Sequence, residues 1–117
     1  MSDRLPPDEP VSLPKGRILV IDDEIDIRES LETLLTLENY SVDLAQNAVE
    51  GLRRAEAANY DMILLDLMMP DRSGMEVLRE IRERDAETPV FMITAYGSVE
   101  VAVNALKNGA NDYFSKP

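Results

Sequence analysis

Residues 62–74 read MILLDLMMPDRSG. Four apolar side chains, Met62 to Leu65, run into one acid, Asp66, and two methionines, a proline and a polar turn follow. A short run that is apolar throughout suits a strand buried on both faces, as in a parallel sheet with helices on each side. A carboxylate at the end of such a strand is costly unless something holds it there. Two other runs share the pattern: ILVI at 18–21 and VFMI at 90–93. SVDLA at 41–45 alternates as an edge strand would, and NDYF at 111–114 suits the other edge.

Helical segments separate these runs. IDIRESLETLL places Ile27, Leu31, Leu34 and Leu35 on one face. Asn47 with Glu50 three residues on forms a cap of capping-box type, ahead of an Ala48, Leu52, Ala55 stripe. Ser73 and Glu76 repeat the signature before Val77, Leu78 and Ile81, and Gly74 suits the turn into that helix. Ser98 caps a fourth helix carrying Val99, Val103 and Leu106, and Gly109 suits its C-terminal cap. Strand and helix thus alternate four times before a fifth strand. Right-handed crossovers turn this into an α/β fold with a doubly wound parallel five-stranded sheet. The order 2-1-3-4-5 fits five strands and puts ligands at the carboxyl ends near strands 1 and 3.

The chain has 117 residues, enough for one domain. Residues 1–16 hold four of the seven prolines and read as a disordered lead-in to a domain over 17–117. The net charge of −11 disfavours nucleic acid as a direct partner. The apolar runs are too short to span a membrane, and no secretory signal pattern opens the chain. Cysteine and histidine are both absent, which removes thiol and histidine chemistry and most transition-metal sites.

The strand ends carry the chemistry. Strand 1 ends in Asp22, Asp23 and Glu24, strand 3 in Asp66 and strand 4 in Thr94, while Lys116 follows strand 5. In the order 2-1-3-4-5 the acids flank Asp66 on one side and the hydroxyl on the other. Clustered carboxylates repel, and a divalent cation resolves the conflict. Oxygen ligands alone point to a hard ion, Mg²⁺ or Mn²⁺. A carboxylate nucleophile, a metal, a hydroxyl and an ammonium are the parts needed to move a phosphoryl group onto an aspartate. Each piece has a plainer reading by itself. The acids suit a helix N-terminus, a lone Asp suits a turn, Thr94 a local cap and Tyr113 edge packing. The methionines read as core and loop filler, and Arg53, Arg54, Arg72, Arg79, Arg82 and Arg84 as solvated charges. Four strand ends supplying complementary groups outweigh those single readings.

VIDDE (20–24), LLDLMMPDRSGME (64–76), MITAYG (92–97) and GANDYFSKP (109–117) together resemble the receiver domain of two-component response regulators. The resemblance covers residues 17–117 and implies the flavodoxin-like receiver fold. It implies Asp66 as phosphoacceptor and Asp23, Asp66 and the Met68 backbone carbonyl as Mg²⁺ ligands, with Asp22 acting partly through water. Thr94 and Lys116 match the switch hydroxyl and the phosphate-binding lysine, and Tyr113 the aromatic switch residue. A cis bond at Lys116–Pro117 is the family's habit. The implied partner is a histidine kinase, docking near Ile25 and Arg28, with the fourth helix and fifth strand signalling to an output domain or dimer partner. The implied setting is the cytoplasm and the implied role a phosphoacceptor switch, not an enzyme. The run TAYGSVEVAVNALKNGANDYFSKP is similar to receivers of nitrogen-regulation-type transcription activators. Bulky Met68 and Tyr96 beside the site would slow water attack on the acyl phosphate, while small Ala95 leaves the acceptor open. The sequence departs from the family by stopping at Pro117, where a fifth helix is expected.

Three other readings fit less well. A haloacid-dehalogenase-type phosphatase needs an acid two residues past the nucleophile, where Met68 stands, and usually a cap domain. A flavin module wants a phosphate loop after strand 1, where DDEID would repel it. A scaffold with a decayed site would not need every expected site residue.

Overall fold

A computed structural model describes residues 13–95 and 97–116. The elements are β1 (Arg17–Ile21), α1 (Ile25–Leu37), β2 (Ser41–Ala45), α2 (Ala48–Ala57), β3 (Met62–Asp66), α3 (Gly74–Arg84), β4 (Val90–Thr94), α4 (Val99–Lys107) and β5 (Asp112–Ser115). The five strands form one parallel sheet in the order β2-β1-β3-β4-β5, as the alternation of runs predicts. Among the described residues no fifth helix follows β5. No helix there is long and apolar enough to cross a membrane. Residues 1–12 of the expected lead-in lie outside the described residues. Ahead of β1, Lys15 N donates to Asn39 O at 2.8 Å and Ser41 N to Gly16 O at 2.9 Å.

Strand alternation sorts the side chains. Leu19, Ile21, Ile63, Leu65, Val90 and Met92 face α2, α3 and α4 and join Ala48, Val77, Leu78, Ile81 and Ala105 in one core. The capping signals act where the sequence puts them. Asn47 Oδ1 accepts from Glu50 N at 2.8 Å, Ser73 Oγ from Glu76 N at 3.2 Å and Ser98 Oγ from Val101 N at 3.2 Å. Gly109 adopts φ 104° just past α4, a conformation that favours glycine. At Gly74 a Cβ would stand 2.1 Å from the Asp66 carbonyl oxygen, so only glycine lets α3 start this close to the end of β3.

The structure settles two helix faces that the sequence left open and corrects one sequence expectation. The Val99, Val103, Leu106 stripe of α4 faces outward, with Val99 81% exposed, and Ala105 is the residue buried against the sheet. Spacing identifies a stripe but not which side the sheet takes. Here the small side faces inward. The apolar face of α1 is only partly covered: none of its residues is fully buried, and Leu34 is exposed. On that side of the sheet Ile18 and Val20 are buried, whereas Leu64 and Phe91 are half-buried and Phe114 is exposed, its ring 5.7 Å from that of Phe91. Arg82 is no solvated charge. Its guanidinium donates to Gly109 O (2.8 Å), Asp85 O (3.0 Å), Thr88 O (2.8 Å) and Asn111 Oδ1 (2.9 Å). It thereby joins the exit of α3 to the α4–β5 connection.

Candidate functional site

Among the described residues the buried polar side chains are Asp22, Asp66 and Thr94, at 0, 2 and 1% exposure. All three lie at the carboxyl ends of neighbouring strands β1, β3 and β4. The sheet holds their backbones: Asp22 N donates to Ala45 O at 3.0 Å, Leu67 N to Ile93 O at 2.9 Å and Lys116 N to Thr94 O at 2.9 Å. Met68 N donates to Asp66 Oδ1 at 3.2 Å, the first bond of the loop back onto the acid.

Lys116 closes the gap from the edge of the sheet. Its ammonium lies 3.2 Å from Asp66 Oδ2, 3.0 Å from Asp22 Oδ2 and 2.7 Å from Glu24 Oε1. Burial by itself would lower the Lys116 pKa. Hydrogen bonds to Glu24 and Asp22 and the charges of Asp22 and Asp66 outweigh it and raise the pKa, so the ammonium stays charged. The Asp66 pKa is also raised, up to about 7, first by burial, then by the Asp22 charge and by Asp23, which for an acid favours the neutral form.

Asp22, Asp23 and Asp66 each offer a carboxylate oxygen within 4.8 Å of the others. Buried Asp22 Oδ2 takes no hydrogen bond, although it is ion-paired with Lys116. An all-oxygen donor set and excess negative charge fit a hard divalent cation. Thr94 is buried beside Asp66 in the next strand. Tyr113 is half-buried on β5, and a Cβ at Gly97 would stand 2.7 Å from its hydroxyl oxygen, so the ring tip lies against the β4–α4 connection. Met68 is 60% exposed, and Ala95 is exposed. Tyr96 and the Lys116–Pro117 bond lie outside the described residues.

Three pairings escaped the sequence reading. Glu24 takes the shortest bond to Lys116; the adjacency of three acids was its only signal. Arg28, expected in an exposed docking face, is half-buried and donates to the Asp22 carbonyl at 2.7 Å. Its place one turn after Glu24 could have suggested this. Asp71 accepts from the Ala48 and Val49 amides at 3.0 Å each, 23 and 22 residues away, a link without local signature.

A family model described as the response regulator receiver domain matches residues 18–117. The chain belongs to this family. The receiver domain is 46% identical over 103 residues to the uncharacterized transcriptional regulatory protein YkoG of Bacillus subtilis, covering 88% of this chain and 45% of that protein. It is 40% identical over 102 residues to the regulatory protein AtoC of Escherichia coli, covering 87% and 22%. AtoC is of the nitrogen-regulation type, so the receiver resembles that group as well as other transcriptional regulators. The chain spans less than half the length of these curated relatives. Among solved structures, response regulator TrrA of Thermotoga maritima in complex with Mg(2+)-BeF superposes with a TM-score of 0.79 at 39% identity, covering 86% of each chain. A Burkholderia pseudomallei response regulator with a phosphorylated aspartic acid and a calcium ion gives a TM-score of 0.83 at 31% identity, covering 88% of this chain and 61% of that one. The receiver domain is a phosphoacceptor switch of two-component signalling rather than a classical enzyme.

Proposed function

We propose that Asp66 is the phosphoacceptor of this receiver domain and that the donor is the phosphohistidine of a histidine kinase in the cytoplasm. The observation that carries the reading is the convergence of Asp66 Oδ2, two further aspartates and the Lys116 ammonium at the carboxyl edge of the sheet. An Asp66 carboxylate oxygen forms the new O–P bond as the donor's P–N bond breaks, and the imidazole leaves with the electron pair and takes up a proton. Lys116 exchanges carboxylate partners for a phosphoryl oxygen, and the Thr94 hydroxyl donates to another. Asp22, Asp23, Asp66 and the Met68 carbonyl would hold Mg²⁺, with Mn²⁺ as a substitute. When bound, the cation offsets the carboxylate charge and that of the phosphoryl oxygens.

The switch follows from the added charge. Thr94 moves toward the new oxygens, Tyr113 turns inward, and the surface of α4 and β5 repacks to address an output domain or a dimer partner. That output is transcriptional, a reading supported by relatives named as transcriptional regulators. Intact mass after incubation with Mg²⁺ and acetyl phosphate tests the chemistry. The expected result is one added phosphoryl group, absent without divalent cation and in Asp66→Asn. A folded, Mg²⁺-binding protein that gains no mass would favour a scaffold instead.

A further inference from the structure

The loop from Leu67 to Ser73 carries the Met68 backbone and is closed at its base. Leu67 O accepts from Gly74 N at 2.7 Å, and Met68 pairs with Ser73 in an isolated antiparallel bridge. Its tip, Met69 to Arg72, is held differently. Arg72 reaches forward to Glu76 and Glu80 on α3. The described hydrogen bonds from the tip to α2 run through one side chain, Asp71. Its two carboxylate oxygens accept from Ala48 N and Val49 N, the first amides of α2, and Oδ1 also accepts from Arg72 N at 3.0 Å.

From the side of α2 the arrangement is a divided cap. Asn47 satisfies the Glu50 amide. The two amides before it are left to Asp71, whose negative charge also suits the positive end of the helix. The tie joins the loop after β3 to the helix after β2, two parts of the chain that share no strand pairing. Arg72 ties the loop tip forward to α3, and Asp71 ties it sideways to α2.

We propose that Asp71 is a positioning residue for the cation site. Its carboxylate braces the β3–α3 loop against the N-terminus of α2 and so restricts the Met68 backbone that supplies one ligand. This rests on the function proposed above. Among the described hydrogen bonds and ion pairs Asp71 meets neither the aspartates nor Lys116, and it acts only through the loop.

The test uses the whole chain and three variants. Asp71→Ala removes both acceptors, Asp71→Asn keeps one, and Asn47→Ala weakens the same helix terminus without touching the loop. Hydrogen exchange at the Met68 to Arg72 amides is read in metal-free protein, and the Mg²⁺ dissociation constant by calorimetry. Asp71→Ala is expected to speed loop exchange and to weaken Mg²⁺ binding about tenfold, as loss of a supporting partner typically does. Asp71→Asn falls between it and the native protein, and Asn47→Ala lowers the melting temperature while leaving loop exchange and Mg²⁺ affinity as they were. Native Mg²⁺ affinity in Asp71→Ala, or an equal loss in Asn47→Ala, overturns the proposal while the site reading stands. A native protein that binds no Mg²⁺ overturns both.

Discussion

At Asp66, burial and the neighbouring charge act in the same direction. Folding raises its pKa from 3.8 to about 7, so between those values the native metal-free protein keeps a proton that the unfolded chain has released. The associated stability is intact below about pH 4 and lost as pH rises through about 7, a term on the order of a few kcal/mol. The metal-free protein is therefore expected to lose stability relative to Asp66→Asn as pH rises from 4 to 8. Mg²⁺ restores it most at the upper end, where no proton competes. Denaturant midpoints for both proteins at each pH, with and without Mg²⁺, check this; parallel curves would refute it. Met68 poses a separate question at the same scale. It is 60% exposed at the mouth of the site. Met68→Asn opens a polar path for water and is expected to speed loss of the phosphoryl group about fivefold, equivalent to roughly 1 kcal/mol in the barrier. The phosphoprotein half-life by intact mass measures it.

Among the elements, α3 shows how a residue's type misleads without its neighbours. Arg79 and Arg82 look alike in the sequence, one turn apart. Arg79 is exposed, whereas Arg82 donates four hydrogen bonds to three carbonyls and an amide oxygen. Arg82→Met is expected to cost about 2–3 kcal/mol, because charge-assisted bonds are lost together, while Arg79→Met stays within about 0.5 kcal/mol. Urea unfolding of the two variants separates them. The caps at Asn47, Ser73 and Ser98 were legible because a cap is a contact over three residues. The inward side of α4 was not, since the larger apolar Val103 reads as the buried residue whereas the sheet takes Ala105.

For the molecule as a whole, the two faces of the sheet are unequal. One is closed by α2, α3 and α4; the other leaves Phe114 exposed beside Phe91 and half-buried Leu64. Such a strip favours association. The sequence by itself determined the order of strands and helices and the arrival of Asp22, Asp23, Asp66, Thr94 and Lys116 at one edge. Apolar runs, caps and the parallel crossover rule act over short stretches, and a strand end is a position in a pattern. Only the tertiary structure decided how those groups pair. Lys116 meets Glu24 across 92 residues, and Asp71 meets Ala48 across 23. The raised pKa of Asp66 depends likewise on how completely the packed sheet excludes water and how near it sets Asp22. Those distances are products of packing, and no local preference of the chain encodes them.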